Sequence, residues 1–192
     1  MLDEKDFSDM VREFNEFDEL REGLIRKSRD VVKLSKQIIY CIHRNELDSA
    51  KGLCDKIAAE IKDLDKIALK SPELLYSGSY KVAVQEFVEA LCYYRFVAEG
   101  RVPSRSELGV SSDFYLLGLC DLSGELVRNA INKASKGEYA AVETIKDLVV
   151  EIFERLMMFD FRNSELRSKF DGLKYDVKKL EDVVFQIKLK SR

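Results

Sequence analysis

Four acids stand where acids are unexpected. Between Val82 and Ala98 only Glu86, Glu89 and Arg95 are charged, and between Phe114 and Val127 only Asp121 and Glu125 are. A carboxylate in such apolar text is costly to bury unless a partner or a metal offsets its charge. Glu86 and Glu89 are spaced i, i+3, and Asp121 and Glu125 i, i+4, so each pair projects from one face of a helix. If the two helices pack side by side, four oxygen-bearing groups approach one another. Like charges in a low-dielectric site repel, and a divalent cation is the natural compensation. Oxygen-only ligation suits Mg²⁺ or Mn²⁺ rather than zinc. Gly124, between the second pair, would leave room for a ligand or for another backbone. The alternative is that the acids pair with Arg95, Arg128 or Lys133, or face water through a groove.

The elements that must position these acids are helices. The chain has 192 residues, 46% apolar and 35% charged, with two prolines, nine glycines and no tryptophan. That composition leaves too few turn residues for a sandwich or barrel. A first long helix is expected from about Phe7 to Arg44, because Leu24, Val31 and Ile38, and again Ile25, Val32 and Ile39, recur at seven residues. Asn45 interrupts, and a second helix follows over about Glu46 to Lys70. Ser71-Pro72-Glu73 reads as a helix start. The third helix covers about Glu73 to Glu99, loosening at Ser77-Gly78-Ser79. Gly100 to Val110 reads as a loop. A fourth helix is capped by Ser111 or Ser112 and runs to about Lys136, where Gly137 stops it. A fifth spans about Glu138 to Asp160, and a sixth about Ser164 to Lys190, pausing at Asp171-Gly172. The reading is an all-α, single-domain antiparallel bundle of six or seven helices over residues 1–192.

Net charge is -3, so no global basic field attracts nucleic acid. The charge is uneven: residues 1–22 carry nine acids against three bases, whereas Arg26 to Lys36 holds five bases against Asp30 alone. At about 100° per residue, Arg26, Arg29, Lys33 and Lys36 fall on one strip of roughly 80° beside the apolar face. Such a strip can neutralise phosphates, and it is equally the pattern of an ordinary solvated helix face. The aromatic residues Tyr93, Tyr94, Phe96, Phe153, Phe159 and Phe161 are expected in the core or at a subunit interface.

Cys41, Cys54, Cys92 and Cys120 form no CxxC pair, and His43 is the only histidine. A Cys/His zinc site and a two-histidine, metal-free ribonuclease site within one chain are thereby excluded. The cysteines read as reduced core thiols of a cytoplasmic protein. No signal peptide and no membrane span are expected.

At the acids the sequence resembles a known family. Gln85-Glu86-Phe87-Val88-Glu89-Ala90 and the run Tyr115 to Leu126, with Asp121-Leu122-Ser123-Gly124-Glu125, resemble the acidic motifs of translin-associated factor X. Ile25 to Arg44 resembles that family's first long helix, and the tail from Phe170 to Glu181 is very similar to translin. The loop Gly100 to Val110 is shorter than the corresponding stretch of factor X. The resemblance implies an all-α fold assembled as a hollow, roughly octameric homo-oligomer around RNA, or around single-stranded DNA. It implies a magnesium-dependent endoribonuclease whose catalytic acids fall on Glu86, Glu89 and Asp121, with Glu125 matching a further acid. In this reading Glu86, Glu89 and Asp121 hold Mg²⁺, Glu125 orients water, and Arg26, Arg29, Lys33 and Lys36 bind nucleic acid. Two other functions fit the same text: a nuclease-silent binding protein, and a structural adaptor.

Overall fold

A computed structural model describes residues 2–162 and 164–190, and among these it contains helices and no strand. Helix α1 (Glu4–His43) starts at Asp3, whose carboxylate accepts the amides of Lys5 and Asp6, with Glu4 and Asp6 favourably placed in the first turn. Its heptad positions Leu24, Val31 and Ile38 are fully buried. Before Phe17 no hydrophobic side chain of α1 packs against the core, so about three and a half turns at its start extend beyond the bundle. Phe7, Met10, Val11 and Phe14 form an exposed apolar stripe on this overhang at i, i+3, i+4 and i+7 spacing.

The chain reverses at Asn45, which takes a left-handed conformation (φ 66°) that asparagine tolerates better than most residues. Helix α2 (Leu47–Ala68) then buries Ala50, Cys54, Ile57, Ile61, Leu64 and Ala68. The expected third helix is divided. Pro72 opens a single turn, α3 (Pro72–Leu75), and Ser77 re-caps the chain by accepting the Tyr80 amide at 3.3 Å to start α4 (Gly78–Glu99). The expected loop after α4 also contains a turn of helix, α5 (Arg105–Leu108). Ser104 and Glu107 form a reciprocal capping box there, satisfying amides that the loop would otherwise leave to water.

Helix α6 (Ser112–Ser135) begins at Ser111, whose side chain makes no capping bond. Gly137, at φ 78°, turns the chain into α7 (Tyr139–Leu156), which ends four residues before the expected Asp160. Helix α8 (Glu165–Lys190) runs through Asp171-Gly172 without the expected pause. Asn163, just before it, lies outside the described residues.

Helices α4 and α6 pack against each other at the centre, flanked by α1 and α2 on one side and α7 and α8 on the other. That position explains their apolar composition: α4 buries eleven of its side chains, Glu89 and Gln85 among them. Gly118 on α6 permits the close approach. A Cβ there would meet Val88 Cγ1 at 2.5 Å and the Gln85 carbonyl at 3.0 Å. Gly124, by contrast, has open space around it, so no other backbone fills the room its missing side chain leaves; the close backbone approach is at Gly118. The four cysteines are free thiols. Burial pushes Cys54, Cys92 and Cys120 up to about 12, which leaves them protonated and inert. No described helix is long and apolar enough to cross a membrane.

Candidate functional site

The packing of α4 on α6 brings the two acid pairs into one electrostatic neighbourhood. Glu89 is only 9% exposed. Its carboxyl is pushed up to about 8, first by burial and then by the charges of Asp121, Glu86 and Glu125, with Lys169 opposing. Glu86 is half-buried and raised by burial, with Lys36 and Lys169 pulling it down and Asp121 and Glu125 pushing it up. Among the described residues neither Glu86 nor Glu89 has a hydrogen bond or an ion pair at its carboxyl.

The other two acids are held. Gln85, one residue before Glu86 and buried, donates its amide N–H to Asp121 Oδ2. Lys169, one turn into α8, donates its ammonium to Asp121 Oδ1. Glu125 accepts from His43 Nε2 at the end of α1 and lies 3.8 Å from the Arg128 guanidinium. Tyr93 stacks obliquely on the His43 ring at 5.4 Å, with its hydroxyl 3.5 Å from Nδ1. Among the described residues no three His, Cys, Asp or Glu side chains are arranged to hold a metal as they stand. Both oxygens of Asp121 and one of Glu125 are turned to protein donors.

The alternative partners are mostly engaged elsewhere. Arg95 pairs with Glu99 and Lys133 with Glu138, which leaves only Arg128 beside the acids. The strip of α1 is exposed at Arg26, Arg29, Lys33 and Lys36. Lys27, outside it, is instead spent on Glu60 at 2.7 Å. Arg29, Lys33 and Lys36 line a groove of about 1130 Å³ whose apolar floor includes Ile25, Val32, Leu53 and Val82. Arg26 does not line it. Lys36 stands at the end of the strip nearest the acids, where its charge reaches Glu86.

Sequence reasoning missed Gln85, Lys169 and the role of His43. Gln85 sat inside the quoted acidic motif, but only the packed helices show its amide aimed at Asp121. A lone helical histidine such as His43 is ordinarily packed or exposed, and nothing in α1 signals a contact 82 residues away. Of the aromatic residues, Tyr93 is fully buried. Tyr94, Phe96, Phe153 and Phe161 pack against the core, and Phe159 is half exposed and stacked on Phe161.

The fold and the acid-bearing central helices define an all-helical bundle of the translin type. The chain belongs to the translin family, whose model matches residues 19–191. It is 32% identical to an uncharacterised protein of Methanocaldococcus jannaschii over 158 residues, 80% of this chain and 70% of that one. Human translin is 36% identical over 76 residues, which span 40% of this chain and a third (33%) of translin. The translin-associated protein X homolog of Schizosaccharomyces pombe is 24% identical over 95% of this chain and 87% of its own. Among solved structures, apo-NeC3PO superposes with a TM-score of 0.88 at 27% identity, covering 97% of this chain and 98% of that one. AfC3PO in complex with duplex RNA gives 0.89 at 24% identity, covering 96% and 97%.

Proposed function

We propose that this chain is the subunit of a metal-dependent endoribonuclease that binds and cleaves RNA within a homo-oligomeric shell, an octamer in the family pattern. The observation that carries the proposal is Glu89: a carboxyl nine-tenths buried, without a bonded partner, beside three further acids. Such a group is costly in a purely structural helix and marks a functional site, where a cation would offset the charge of the four acids. A translin-type relative whose structure is a duplex RNA complex supports the choice of nucleic acid.

The donor set fits Mg²⁺ or Mn²⁺, since Glu86, Glu89 and Asp121 supply oxygen only. Bound there, the ion would lower the pKa of a coordinated water and offset charge on the phosphodiester. The chain's own residues do the rest. Gln85 fixes the orientation of Asp121 through Oδ2. Glu125, steadied by His43 on one oxygen, keeps the other free to accept a proton from an attacking water. Arg26, Arg29, Lys33 and Lys36 carry phosphates toward the acids, with Lys36 nearest them. The exposed stripe of Phe7, Met10, Val11 and Phe14 supports the homo-oligomer, because none of the described residues of its own chain covers it.

One observation favours a second reading, a protein that binds RNA or single-stranded DNA without cutting it: Asp121 is already neutralised by Lys169. Incubation of a labelled RNA with the purified protein in Mg²⁺, Mn²⁺ or EDTA separates the two readings. Metal-dependent cutting is expected, and binding without cutting in every metal would establish the second.

A further inference from the structure

The tail helix carries a cation that no motif in this chain announces. We infer that Lys169 is an exchangeable counter-cation for the acidic site: its ammonium holds Asp121 in the metal-free protein, yields it to a divalent ion, and then faces the RNA phosphate. This inference rests on the metal-dependent reading above and deepens it.

Three observations carry it. The first is how Asp121 is shared. Gln85 approaches Oδ2 from a buried position in the middle of α4, whereas Lys169 approaches Oδ1 from the first turns of α8. One contact is fixed by packing and the other sits at the end of a flexible four-carbon stem. The second is exposure. The Lys169 and Asp121 side chains are 26% and 25% exposed, so the pair opens to water and the ammonium can leave without being stranded in the core. The third is the accounting of charge. Among the described residues Lys169 is the only cation in an ion pair with Asp121, and its charge also reaches Glu86 and Glu89. It therefore stands in for an ion at Asp121, one of the acids proposed as ligands.

The consequences are specific. Metal and Lys169 compete for Asp121, so removing the ammonium tightens metal binding even as it removes a phosphate contact. In the Lys169→Met protein, Mn²⁺ affinity without RNA should rise about fivefold, the scale of one half-buried ion pair. RNA affinity at saturating metal should fall. Mn²⁺ binding is read by electron paramagnetic resonance, and RNA binding by anisotropy with a 2′-O-methyl RNA that cannot be cleaved. A measurement on the unaltered protein guards against a folding defect in the variant: amine-reactive labelling of Lys169, quantified by peptide mass spectrometry. Labelling should be slow without metal, faster in Mg²⁺, and slow again when the uncleavable RNA is added. Equal Mn²⁺ affinities in the two proteins, or labelling indifferent to Mg²⁺, overturns the counter-cation while leaving the nuclease reading intact. No Mn²⁺ binding by the unaltered protein overturns both.

Discussion

Replacing Glu89 with glutamine should stabilise the metal-free protein at neutral pH, and by an amount that depends on pH. The Glu89 carboxyl titrates at about 8 in the fold against an ordinary value of 4.5. The folded state therefore holds this proton more tightly than the unfolded chain. For a raised carboxyl, stability is full below the unfolded value and is eroded as pH climbs from 4.5 toward 8. At about 1.4 kcal/mol per pH unit, the loss reaches ~3 kcal/mol by pH 7 and levels off above pH 8. Glutamine keeps the shape and carries no proton to lose. Allowing for its own unsatisfied amide, Glu89→Gln should gain about 2 kcal/mol at pH 7, or roughly 4–8 °C in Tm for a chain of this size. The assay is thermal unfolding in EDTA from pH 4.5 to 9 for both proteins. The variant should be about 1 kcal/mol less stable near pH 4.5, where only the amide cost acts, cross the unaltered protein between about pH 5 and 6, and pull ahead progressively to pH 8. A constant offset, or a variant less stable at pH 7, would mean that Glu89 does not hold its proton in the fold, and the argument for an unpartnered buried carboxyl would collapse.

Other perturbations address the remaining parts of the account. Reversing charge at Arg29 and Lys33 together should weaken RNA binding and lower its log–log salt slope by about 2, read as anisotropy over a NaCl series. An unchanged slope would remove the α1 strip from the interface. Gly118→Ala should cost about 1–3 kcal/mol, because its Cβ would meet Val88 at 2.5 Å between two tightly packed helices; an unchanged melting temperature would show that this approach is relaxed. Phe14→Asp, at the 72% exposed inner end of the overhang stripe, should reduce the size of the assembly in sedimentation velocity and leave helical content intact. An assembly of unchanged size would place the subunit contacts elsewhere.

Most of the helical framework was legible because burial imposes a period. The heptad positions Leu24, Val31 and Ile38 of α1 are all fully buried, as their spacing requires. The sparse charge of α4 and α6 was legible too, but their central place, which explains it, comes only with the packed bundle. The short turn α5 left a trace that was overlooked: Ser104 and Glu107 stand at capping-box spacing inside what read as loop. The break between α3 and α4 is signalled only by Ser77 and Gly78, and the choice between loosening and breaking depends on packing against the rest of the bundle. The four acids were visible as residues out of place. Their partners were not. Gln85, Lys169 and His43 reach Asp121 or Glu125 across separations of 36, 48 and 82 residues, and a lysine in a charged tail helix looks the same whether it meets water or an aspartate.

The central claim is that Asp121 and its neighbouring acids cut RNA with a divalent metal. It is tested most directly by incubating one labelled RNA with the unaltered protein and with Asp121→Asn, each in Mg²⁺, Mn²⁺ and EDTA. The account predicts cutting by the unaltered protein in metal, none in EDTA, and a loss of at least about a hundredfold in the variant with RNA binding retained. Equal cutting by the two proteins, or cutting that persists in EDTA, would contradict it.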